Sequence, residues 1–171
     1  MGLTAERLRQ VLTYEPETGI FRWSVKTSKR IMPGEIAGSV HHQANNYSRR
    51  VIRVDGQLYS AHRLAWLYVH GQWPEHDIDH KNGDSLDNRL SNLRAATRTQ
   101  NMANKKIAKH NSTGVKGVQF ISSSGRYRAV IRVARKNCHI GCFATKEEAG
   151  AAYFAKAKEV FGEYASDGRR A

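Results

Sequence analysis

The chain has 171 residues, with 28 Lys and Arg against 15 Asp and Glu, a formal net charge of +13 with the histidines neutral. Its 40% hydrophobic content suffices for one or two small domains with real cores and excludes a disordered polyelectrolyte. The longest uninterrupted apolar run, residues 64–69, is far short of the roughly 20 residues a membrane span requires, so no membrane partner is expected.

In chain order, the spacing predicts a helix over 4–12 with Leu8, Val11 and Leu12 on one face, stopped by the Pro16 to Gly19 turn. Strands follow at 19–24 and 34–40. A third, 47–54, runs through Asp55-Gly56 into 57–60, the signature of a hairpin. Arg49, Val51 and Arg53 share one side of that strand, which would turn both arginines toward phosphates. A helix over 61–70 buries Leu64, Leu67 and Tyr68 and ends at Gly71. Its His62 stands either as a further active-site group or as the more common satisfied histidine of a core.

Residues 77–104 read as strand, loop, strand and short helix, with Thr97 as N-cap and Gln100 as its capping-box partner. The polar, basic stretch at 105–114 reads as a linker. Beyond it come strands at 117–122, 126–133 and 137–143, then a helix opening on a capping box from Thr145 to Glu148. On the middle strand Tyr127, Ala129, Ile131 and Val133 alternate with Arg126, Arg128, Val130 and Arg132, so one face packs on the helix and the other presents guanidinium groups. Cys138 and Cys142 share the third strand and are too few for a disulfide framework or a four-ligand zinc site, which leaves two reduced thiols. The amino terminus has no apolar targeting segment, and a cytoplasmic location in contact with DNA is the expectation.

The charge is unevenly placed. From Asn88 through Lys146 there is no Asp or Glu but there are 13 Lys and Arg. An acid-free stretch of this length points to a polyanionic partner, nucleic acid first. Just before it Glu75, Asp77, Asp79, Asp84 and Asp87 crowd together, which is either a turn-rich polar loop or a place for a divalent cation between carboxylate and phosphate. Phosphodiester hydrolysis needs a base for the attacking water and an electrophile for the phosphorane and the leaving oxygen. His80 suits the first task. A hard cation on Asp79 and the amide oxygen of Asn101 suits the second, and Asn92 can bridge the loop and fix the histidine.

The run D-H-K-N-G-D-S-L-D-N-R-L-S-N-L-R-A-A-T-R-T-Q-N closely resembles the HNH nuclease motif of phage and intron-encoded homing endonucleases, with His80, Asn92 and Asn101 at the named positions. The resemblance implies His80 as general base, Asn92 as the structural member, and Asp79 and Asn101 as ligands of one divalent ion, magnesium or manganese. The stretches S-T-G-V-K-G-V-Q-F, G-R-Y-R-A-V-I-R-V, I-G-C-F and T-K-E-E-A-G-A-A-Y resemble the Apetala-two (ethylene-response-factor) DNA-binding domain. That likeness implies a sheet docked in the major groove through Lys116, Gln119, Arg126, Arg128 and Arg132, although Tyr127 stands where tryptophan is usual and Ala134-Arg135 replaces an Asn-Gly turn.

The expectation is therefore an α+β protein. Residues 1–71 form a β-rich region and helix, 72–106 an HNH ββα-metal core, 107–114 a linker, 115–166 an Apetala-two-like domain of three antiparallel strands on one helix, and 167–171 a tail. It would act as a monomer on double-stranded DNA, with Arg49, Arg53, Arg94 and Lys105 as further DNA contacts. The rival is a regulatory DNA-binding protein with an unused nuclease centre; an RNA-binding protein is a weaker one, since no paired-aromatic RNA motif is present.

Overall fold

The computed structural model of the chain describes residues 2–27, 31–42, 48–108 and 110–168. Tyr47 of the expected hairpin, Lys109 of the expected linker and residues 169–171 of the expected tail lie outside them. The architecture is mixed α+β, in two compact units, residues 1–95 and 96–171. The segment 72–106 therefore runs across the boundary between them.

In the first unit α1 (Ala5–Val11) starts at Thr4, whose hydroxyl accepts the Arg7 N–H at 3.2 Å. The chain then passes directly into a strand that the helical reading of 4–12 missed. Leu12 and Tyr14 are buried and Thr13 and Glu15 exposed, a period of two that makes β1 (Leu12–Glu15) the partner of β2 (Ile20–Trp23). The expected strand over 34–40 is also reduced. Only Ile36 bridges, to Arg22, and regular pairing starts at β3 (Ser39–His42), because Gly38 at φ +84° turns the chain sharply there.

β4 (Ser48–Val54) and β5 (Gln57–Ser60) form the expected hairpin around Asp55-Gly56, both at positive φ, and the sheet order is β3-β4-β5. α2 (Ala61–His70) follows and buries Leu64 and Leu67 against Leu8, Leu12, Phe21 and Ile52, with Tyr14, Phe21 and Tyr68 packed ring against ring. Fully burying side chains of this size contributes about 1.5–3 kcal/mol each. β6 (Asp77–His80) and β7 (Leu93–Ala96) make a two-stranded sheet joined by a loop and a 3-10 turn, Leu90–Asn92.

The second unit opens with α3 (Arg98–Ala103), capped by the reciprocal Thr97 and Gln100 bonds. β8 (Val118–Ile121), β9 (Arg126–Val133) and β10 (Lys136–Phe143) form an antiparallel sheet with β9 in the centre. Ala129 and Ile131 pack on Ala149, Tyr153 and Ala157 of α4 (Lys146–Phe161), whose capping box from Thr145 is formed as expected. Among the described residues no helix is long and apolar enough to cross a membrane.

Candidate active site

The last residue of β6 is His80, 6% exposed. Its Nε2 lies 3.2 Å from Oδ1 of Asn88, itself 2% exposed. The Asn88 amide donates to the Leu86 carbonyl, which turns the oxygen of the side chain toward the imidazole. Nε2 is therefore the protonated nitrogen, and the lone pair falls on Nδ1. Burial pushes the His80 pKa down, against the Asn88 hydrogen bond and the charges of Asp79, Asp84 and Asp87. The ring is thus neutral near pH 7, the state a general base requires.

Asn92 ties the two ends of the loop. Its Oδ1 accepts the Asn82 N–H at 3.0 Å, its amide donates to the Asp87 carbonyl at 2.8 Å, and its carbonyl accepts from Lys81. Two of the clustered acids, Asp84 and Asp87, serve turn closure. Asp84 accepts the Leu86 N–H, and Asp87 pairs with Arg89, which holds its carboxyl down at about 2. Asn88 was not singled out from the sequence, where it stands among loop residues with no periodicity to mark it as buried.

The loop is clamped from the amino-terminal side. Tyr14 Oη donates to the Asn88 carbonyl at 2.7 Å, and the Leu90 N–H donates to the Pro16 carbonyl at 3.0 Å. Gly19, at φ +72°, packs so closely that a Cβ would stand 2.3 Å from the Asn88 carbonyl carbon. Burial, with Asp87 nearby, raises the Tyr14 hydroxyl to about 12, so it remains a donor at any working pH.

Asp79, 5% exposed, receives Nε and Nη2 of Arg94 on Oδ2 at 3.0 and 2.9 Å. Arg94, expected on DNA, is thus 10% exposed at its side chain and engaged inside the site, because a buried carboxylate requires a matching cation. Among the described residues no group of three or more His, Cys, Asp and Glu side chains is gathered to hold a metal. A buried carboxylate suits a hard ion that keeps waters and takes phosphate oxygens, as magnesium does, better than a soft one. His76, just before β6, is exposed.

The ring of His62 stands edge-on to His80, centroids 5.2 Å apart. Burial depresses its pKa to about 3, with His80, Arg63 and Arg49 adding to the shift. Of the other expected DNA contacts in this unit, Arg49 is half-buried and Arg53 exposed, with Val51 between them buried.

In the second unit Asn101 lies in α3, its N–H on the Thr97 carbonyl at 2.9 Å, and Asn104 ends that helix. Gln119, Arg126, Arg128 and Arg132 are exposed, and Arg128 donates to Gln119 at 2.7 Å and Arg126 to the Cys142 carbonyl at 3.0 Å. Lys116 differs from expectation. Its ammonium donates to the carbonyls of Ala103 and Lys105, acceptors that the end of α3 leaves open, while the Lys105 side chain is exposed. Cys138 and Cys142 are free thiols.

Residues 59–103 match a family described as HNH endonuclease. The chain is 35% identical over 107 residues to an uncharacterized HNH endonuclease of Acanthamoeba polyphaga mimivirus, covering 61% of this chain and 54% of the relative. It is 32% identical over 84 residues to Protein 3.8 of Escherichia phage T7, covering 47% of this chain and 69% of the relative. The chain thus spans about half the length of the mimivirus protein and over two thirds of the phage protein. No solved structure matches it.

Proposed function

The chain contains an HNH endonuclease domain and belongs to one family with phage T7 Protein 3.8, and on that premise we propose a metal-dependent endonuclease that hydrolyses phosphodiester bonds of double-stranded DNA at specific sites, in the manner of a homing enzyme. The observation that carries this reading is the buried His80–Asn88 pair beside the Asp79 carboxylate, inside the matched segment.

His80 Nδ1 takes the proton of the attacking water, a step worth about 10² to 10⁴ in rate. Asn88 holds the tautomer that leaves that lone pair in place, and Asn92 holds the loop that carries Asn88. Asp79 and Asn101 would hold one divalent ion, magnesium or manganese, which when bound supplies the Lewis acid for the attacked phosphate and the leaving oxygen. Arg94 neutralises and orients the Asp79 carboxylate.

The segment 115–166 serves as an Apetala-two-like DNA-binding unit, in which Gln119, Arg126, Arg128 and Arg132 enter the major groove. Arg49, Arg53 and Lys105 contact phosphates, while Lys116 acts through the loop it braces. A monomer with one such centre nicks one strand at a time, in the cytoplasm where the DNA lies.

The test is conversion of supercoiled plasmid carrying the native locus to nicked or linear form, with magnesium, manganese or EDTA, for wild type and His80→Ala. Cleavage that requires metal and is lost in the variant, with DNA binding kept, is the expected result. A wild type that binds the locus tightly and leaves it uncut would transfer the role to regulatory DNA binding.

A further inference from the structure

Arg49 is a cation of the first unit whose buried donor the fold does not account for. The β4–β5 register sets Val51 opposite Ser60, the N-cap of α2, and Arg49 stands two residues before Val51 on β4, opposite His41 of β3. Its charge acts on His62, whose ring abuts His80. A second tie comes from the preceding residue. The Ser85 hydroxyl donates to the Ser48 carbonyl, so the start of β4 is fastened to the loop that carries Asn88.

Other arginines of this unit have acceptors. Arg22, Arg50 and Arg53 each reach a backbone carbonyl at 2.8–3.1 Å, and Arg94 reaches Asp79. Arg49 Nε is buried and has no hydrogen-bond partner among the described residues, and none of the ion pairs among them includes its guanidinium. A buried charged donor left without an acceptor is destabilising, and where a fold keeps one beside a reactive group a ligand is the natural acceptor. Neutral His62 brings no charge to that place, and Arg63 lies over the Trp73 ring at 5.8 Å.

We propose that Arg49 is a phosphate ligand of the nuclease centre, its guanidinium taking a non-bridging oxygen of the attacked phosphate beside His62 and His80. The inference rests on the nuclease reading and deepens it by naming the side chain that stabilises the phosphorane charge. The role is that of a preorganised donor aimed where negative charge develops.

Two readouts test it separately. In EDTA, titration of the wild type with inorganic phosphate should move the Arg49 Nε–H resonance downfield and slow its exchange with water, and the same signal should be absent from Arg49→Lys. With magnesium, single-turnover cleavage by Arg49→Met should fall about 10²-fold, the loss typical of removing one such donor. Its Kd for the duplex should change by under about threefold, and added guanidinium ion should restore part of the rate. If the resonance ignores phosphate, or Arg49→Met cleaves at the wild-type rate while wild type cleaves well, the proposal is wrong and the nuclease reading stands. If the resonance responds but wild type cuts nothing, the phosphate ligand stands and the nuclease reading fails. Folding of the variants is checked by their melting temperatures, and the phosphate titration needs no variant at all.

Discussion

The surroundings of His80 and the outer face of the β8–β9–β10 sheet are both polar, and they are built by opposite rules. Around His80 nearly every group is buried and spoken for: Nε2 on Asn88, Asp79 on Arg94, the loop laced through Asn92. On the sheet Arg126, Arg128 and Arg132 stand exposed, and the hydrogen bonds of Arg126 and Arg128 matter little to the fold. The functions proposed for the two regions call for this difference: proton transfer needs atoms held in place before a substrate arrives, whereas collecting a polyanion needs charge and freedom to adjust. Substitutions should therefore cost folding in the first region and affinity in the second.

The largest effect on stability is expected at Arg94. Arg94→Met leaves the Asp79 carboxylate buried without its cation, a loss of about 3–5 kcal/mol, read as a fall in the urea midpoint. A change within about 0.5 kcal/mol would mean that Asp79 is far better solvated than its 5% exposure indicates.

Next comes acid sensitivity. His62 titrates near 3 when folded and near 6.5 when unfolded, so between those values the unfolded chain binds the extra proton. Its contribution is present above pH 6.5 and drains away as pH falls toward 3, on the order of a few kcal/mol in full. His62→Gln should flatten the dependence of melting temperature on pH over that window, and an unchanged slope would sink the assignment.

The sheet face should behave in the contrary way. Arg128→Met or Arg132→Met should leave the urea midpoint within about 0.5 kcal/mol, while each phosphate left without its arginine reduces the slope of log K against log salt by about 0.9. A variant that instead unfolded would dissolve the contrast between the regions. The smallest effect belongs to the β9–β10 turn, where Ala134 and Arg135 hold φ of +47° and +67°. Arg135→Gly should stabilise the second unit by about 0.5–1 kcal/mol in thermal unfolding, because glycine takes that conformation without strain.

How much of this was legible in the sequence follows the same divide. The β9 alternation, the capping boxes at Thr97 and Thr145 and the Asp55-Gly56 turn are local signals, and the elements they predict are present. Asp79, His80 and Asn92 stand out in the sequence because their spacing carries a motif, and all three are buried. Asn88 and the engagement of Arg94 do not, because burial and pairing between residues 8 and 15 positions apart are set by how a loop closes. β1 was lost to α1 because Leu8, Val11 and Leu12 fit a helical stripe, and only pairing with β2 makes Leu12 a strand residue.

The clamp of Tyr14, Pro16 and Gly19 on the 88–90 backbone bears on how the HNH domain could be cut out and reused. The matched segment 59–103 would look like a portable cassette, yet its loop borrows a hydroxyl and a carbonyl from residues 74 positions upstream. Grafted alone, such a cassette would leave Asn88, the partner of His80, on an unsupported loop. A transplantable version of this HNH domain must travel with its first hairpin.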